Sequence, residues 1–209
     1  VLGLSWEALS IPAFQEDTLT REREVQRTDL REAMEDPLKT AFRLLRSTLF
    51  GDRHYGLPRL GTEESLEKLD RQALLDHHHR FMTRQNGVLA VFGDIDPDAT
   101  ADLCEGIFAS LPEGSTSETA SGTGQEINSG EVSRRLTKEQ AVIAIGYPGA
   151  HITSEDIPAL ELIHEYCANM AGPLFTRLRE ELGLAYYVSA TQFHGLGTGL
   201  FAFYVGTAP

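Results

Sequence analysis

The chain has 209 residues, a formal net charge of −13 and 41% hydrophobic content. That length holds one large domain or two small ones, and the acidity argues against a nucleic-acid binder, which needs a basic patch or stripe. No apolar run approaches the roughly 20 residues of a membrane span, so a soluble protein is expected.

Residues 4–9 are apolar and read as the end of a helix, broken over 10–14 by Pro12. A long helix is predicted from about 17 to 34. Its charges (Arg21, Glu22, Arg23, Glu24, Arg27, Asp29, Arg31, Glu32) mix signs and offer pairs at i,i+3 and i,i+4. Asp36-Pro37 punctuates it, and the next helix, 38–50, places Phe42, Leu45 and Leu49 on one face. Residues 51–56 form a turn. Thr62 is expected to cap a helix starting at Glu63, and Asp70 another reaching about Met82. The latter contains His77-His78-His79. Adjacent helical residues point about 100° apart and cannot share one ion, so a polar helix face is expected there.

Residues 86–93 carry Val88, Leu89, Val91 and Phe92 and predict a buried strand. Asp96 then reads as an N-cap and Pro97 as the first residue of a helix to about 110, with Leu103, Ile107 and Phe108 inward. Neither a glycine fingerprint nor a Walker loop marks a nucleotide site. Composition shifts to Ser, Thr, Gly and Glu over 112–130, which reads as an exposed linker. Strands are predicted at 132–136 and 140–147, and a helix capped by Ser154 over 155–170 with Ala159, Leu162, Ile163 and Tyr166 inward. His164-Glu165 begins like H-E-x-x-H, but no His follows at the required spacing. Cys104 and Cys167 form no metal-spaced pair and are expected as buried thiols.

A short helix at 174–182 is predicted to stop at Gly183 and turn directly into a strand over 185–193. A second strand at 200–206 follows the glycine-rich loop 194–199. The corner at Gly183 sets Arg179 near the helix end and Tyr186 near the strand start. A guanidinium and a phenol are both hydrogen-bond donors, suited to a peptide carbonyl or the oxyanion it becomes under attack. The alternative is structural, with Arg179 pairing with nearby acids and Tyr186 packing beside Phe193 or Phe203.

This corner resembles the pitrilysin/insulinase family of zinc peptidases, in which an Arg precedes a Tyr by seven residues at such a turn. Further matches stand in order: Glu35-Asp36-Pro37, Leu49-Phe50-Gly51-Asp52, His54-Tyr55-Gly56, 61–65 (Gly-Thr-Glu-Glu-Ser), and 93–97 before a helix. The resemblance covers nearly the whole chain apart from the linker. It implies an α+β fold of two related αβ domains, with mainly antiparallel or mixed sheets and helices packed on one face. The first domain would span 1–114, the linker 115–130, and the second, cut short, 131–209. Val1 does not read as a natural start, so a fragment is expected; no signal peptide opens the chain.

Catalytic members bind zinc through two His of an H-x-x-E-H motif and a Glu on the charged helix. No H-x-x-E-H occurs here. Alignment on Asp36-Pro37 puts Asp29 at the ligand-helix position and Glu22 seven residues before it, and both read instead as solvated charges, since a zinc site needs three protein ligands. The resemblance therefore implies a non-catalytic half or subunit of a zinc peptidase, inactive by itself, whose partner half holds the zinc. Together the two would enclose a peptide substrate, with Arg179 and Tyr186 supporting it in trans. Two alternatives are an assembly subunit of the same fold, as in the family's relatives in respiratory complexes, and part of a catalytic domain whose H-x-x-E-H lies upstream of Val1.

Overall fold

A computed structural model describes residues 2–115 and 127–209. The remainder of the expected linker, 116–126, lies outside the described residues. Internal contacts divide the chain into two compact units, each discontinuous in sequence: Val1–Val25 with Glu64–Thr119, and Gln26–Glu63 with Ala120–Pro209. The divisions fall inside helix α2 (Glu16–Glu35) and at the start of helix α4 (Glu63–Lys68).

The first unit is helical. It contains α1 (Leu2–Ser10), α5 (Arg71–Phe81) and α6 (Pro97–Phe108). The two predicted caps form as expected. Asp70 accepts from the Ala73 amide and Asp96 from the Ala99 amide, both at 2.8 Å, each satisfying an amide that no helical carbonyl reaches. Trp6 of α1 meets Phe108 of α6 edge-on at 5.2 Å. Leu103, expected inward, is instead exposed. The strand expected at 86–93 is not formed. A 3₁₀ turn at Arg84–Asn86 leads into irregular chain in which Val88 and Phe92 are 98% and 92% exposed. A strand exists only through a hydrogen-bonded neighbour, and no strand of the first unit stands among the described residues to supply one.

The second unit is built on an antiparallel sheet in the order β1 (Ala141–Gly149), β3 (Gly199–Thr207), β2 (Tyr187–His194). The register sets Gly146 and Thr191 on either side of Ala202, and Ala144 and Ser189 on either side of Tyr204. Side chains opposite one another share a face, and against this one packs α3 (Pro37–Phe50). Asp36 caps α3 by accepting from the Lys39 amide, and Gly51, at φ 65°, ends it. The predicted face is the one used. Phe42, Leu45, Leu49 and Phe50 join Phe193, Leu200 and Ala202 in one core, and Phe42 meets Tyr204 edge-on at 5.3 Å. Phe50 is 3% exposed; burying such a ring stabilises by about 1.5–3 kcal/mol.

Helix α7 (Ile157–Ala168) lies against β2, where His194 Nε2 stands 3.5 Å from Glu161 Oε1. His194, Ala190 and Val188 alternate with the residues facing α3, so α7 meets the opposite face. The inward residues of α7 differ from the expectation. Ile157, Leu160, His164 and Cys167 are half-buried, whereas Ala159, Leu162, Ile163 and Tyr166 are exposed. The helix begins two residues later than predicted, with Asp156 at its N-cap and Pro158 in its first turn. With apolar residues on nearly every side, its periodicity did not single out one face. Residues 132–136, predicted as a strand, are irregular and lead into β1. The architecture is α+β with an antiparallel sheet, as expected.

Candidate functional site

The corner before β2 departs from a plain helix. A single α-turn, α8 (Pro173–Phe175), continues as π-helical turns over Thr176–Glu181. The Leu182 amide reaches the Arg177 carbonyl at 3.2 Å and the Leu184 amide the Leu178 carbonyl at 2.9 Å, spans longer than the four residues of an α-helix. π-Turns are uncommon and frequent at functional sites. Gly183, at φ 62°, reverses the chain where a side chain would be strained, and the Tyr186 amide then donates to Gly206 of β3 at 2.8 Å.

Arg179 lies on the exposed side of these turns with its guanidinium carbon 4.9 Å from the Phe175 ring centre. The ring steadies the cation without neutralising it. Of the two acids in this element, Glu180 and Glu181, the latter pairs with Arg177. Tyr186 is 58% exposed, while Phe193 packs against Tyr55 and Phe50, and Phe203 against Phe201. Both donors therefore stand at the surface. No hydrogen bond joins them among the described residues.

Tyr186 is also one wall of a cleft of about 870 Å³ lined by Glu32, Glu35, Asp36, Lys138, Glu139 and Tyr187. Tyr187 sits beside Tyr204, ring centres 6.1 Å apart. Burial foremost, then the Asp36 carboxylate and the Tyr204 phenol, hold the Tyr187 hydroxyl above its ordinary pKa of 10.0, because each disfavours the phenolate. The sequence marks Tyr186 and Glu35-Asp36-Pro37 separately but does not bring them into one cleft. Glu32, Glu35 and Asp36 follow one another at i, i+3 and i+4 at the end of α2, whereas Glu139 comes from the chain before β1 and no spacing in the sequence pairs it with them.

Glu22 and Asp29 are both exposed on α2, and Glu22 accepts from Arg21 at 3.1 Å. Among the described residues, no three His, Cys, Asp or Glu side chains come together as metal ligands. The described residues therefore do not offer zinc the three or four protein ligands it takes. Of the three consecutive histidines, His77 parts from the other two, whose rings meet edge-on at 5.8 Å. His77 stacks on Phe81, while His78 Nε2 lies 2.6 Å from the Leu9 carbonyl, to which it donates. Among the described residues no helix is long and apolar enough to cross a membrane.

The family model described as the peptidase M16 inactive domain matches residues 68–209. The chain belongs to this family. The resemblance to the zinc peptidases is thereby borne out. This M16 chain is 26% identical over 198 residues to an uncharacterized zinc protease of Rickettsia bellii, covering 94% of this chain and 47% of the relative. It is 28% identical to the uncharacterized zinc protease YmxG of Bacillus subtilis, covering 93% and 47%. It thus spans about half the length of the curated relatives it matches. A crystal structure of a peptidase M16 inactive domain from Pseudomonas fluorescens superposes with a TM-score of 0.82 at 20% identity, over 99% of this chain and 50% of that one. A chain of Complex III2 from Candida albicans gives 0.78 at 22%, over 100% and 51%. At those identities the likeness concerns the fold alone.

Proposed function

We propose that this M16 inactive-domain chain is the substrate-enclosing, non-catalytic portion of a zinc metallopeptidase, completing an active site whose zinc is held by another half or subunit. The observation that carries the reading is the surface setting of Arg179 and Tyr186 on either side of the π-widened corner at Gly183. A guanidinium held on an aromatic face keeps its N–H groups available to a peptide carbonyl. The Tyr186 hydroxyl supplies a second donor on the strand side of the corner. Together they would bind the peptide and support the oxyanion formed when the carbonyl is attacked. The metal chemistry would belong to the partner half or subunit, since the described residues offer no set of zinc ligands. The same proposal divides the protein into αβ domains at 1–114 and 131–209 joined by 115–130, which counts α3 with the first domain although it packs on the sheet of the second unit.

The test is peptidase turnover of the full-length protein, or of the reconstituted pair, with Arg179→Ala and Tyr186→Phe. Loss of one preorganised donor is expected to cost roughly a hundredfold or more in rate, with metal content and folding unchanged. Wild-type turnover in both variants would remove the assigned role. That result would favour the second reading, an assembly subunit without peptidase function, which draws support from the shared fold with a chain of Complex III2.

A further inference from the structure

We draw no further inference here: the strongest candidate, the acid-lined cleft formed by Glu32, Glu35, Asp36 and Glu139 beside Tyr186 and Tyr187, adjoins the site already described, and nothing in the structure shows a ligand held among its carboxylates.

Discussion

Gly206 offers the sharpest test of how the cleft is built. It lies in β3 opposite Tyr187, and a Cβ placed on it would stand 2.3 Å from Tyr187 Cζ, 2.4 Å from Cε1 and 2.8 Å from Cε2. Carbon atoms in contact prefer about 3.5–4.0 Å, so Gly206→Ala forces the ring out of its place beside Tyr204. Overpacking of this kind costs about 1–3 kcal/mol. Against it works the ordinary advantage of Ala over Gly inside a strand, about 0.5–1 kcal/mol. In wild type the clash should dominate and Gly206→Ala should destabilise. In a Tyr187→Ala background the clash is gone, and the same substitution should be neutral or stabilising. Urea unfolding of the four proteins in the cycle gives the coupling directly, expected at about 1–3 kcal/mol. A Gly206→Ala effect equal in the two backgrounds to within about 0.5 kcal/mol would refute the idea that the missing side chain houses the Tyr187 ring.

Three further outcomes follow from the same geometry. Tyr187→Phe should remove from the alkaline absorbance titration a phenol that ionises above pH 10.0. Since the folded protein holds that proton more tightly than the unfolded chain, Tyr187 stabilises fully below pH 10, and its contribution is lost as pH rises through the folded value. The wild type should therefore lose stability above pH 10 more steeply than Tyr187→Phe, and parallel curves would contradict the assignment. Tyr55→Phe deletes the hydroxyl that accepts from the Leu196 amide at 2.8 Å while keeping the ring against Phe193. It should cost about 0.5–1.5 kcal/mol and speed hydrogen exchange at Leu196, and unaltered exchange there would show that the loop is held by other contacts. Phe50→Ala empties the core between α3 and the sheet and should lower stability by about 3–5 kcal/mol in thermal or denaturant unfolding.

The helices were largely legible in the sequence because their signals are local. Asp36, Asp70 and Asp96 cap through amides three residues away, and the face of α3 follows from spacing alone. Gly183 announced the helix-to-strand corner because few other residues accept its positive φ. The predicted strands divide by partnership. Segments 140–147, 185–193 and 200–206 found one another and became a sheet, whereas 86–93, apolar as it is, has no strand of its own unit among the described residues to pair with, and 132–136, with Ser133, Arg134 and Arg135 in five residues, joins no ladder. Alternation measures which side chains suit a sheet; the ladder that makes a strand comes from elsewhere in the chain.

For the site, the sequence by itself determined which donors stand at the corner, Arg179 and Tyr186, since their order and the stop at Gly183 are properties of one short stretch. The π-widening of the turn before Gly183 and the seat of Arg179 on Phe175, four residues back, are also local, though no spacing in the sequence announces them. Only the tertiary structure brought Glu32, Glu35 and Asp36 of the α2 end together with Glu139, Tyr186 and Tyr187. A cap or a turn is settled by atoms within a few residues of each other. A cleft wall is settled by how separate elements pack, and Glu139 and the tyrosines reach the acids of α2 only once burial of Phe50, Leu200 and Ala202 has placed those elements.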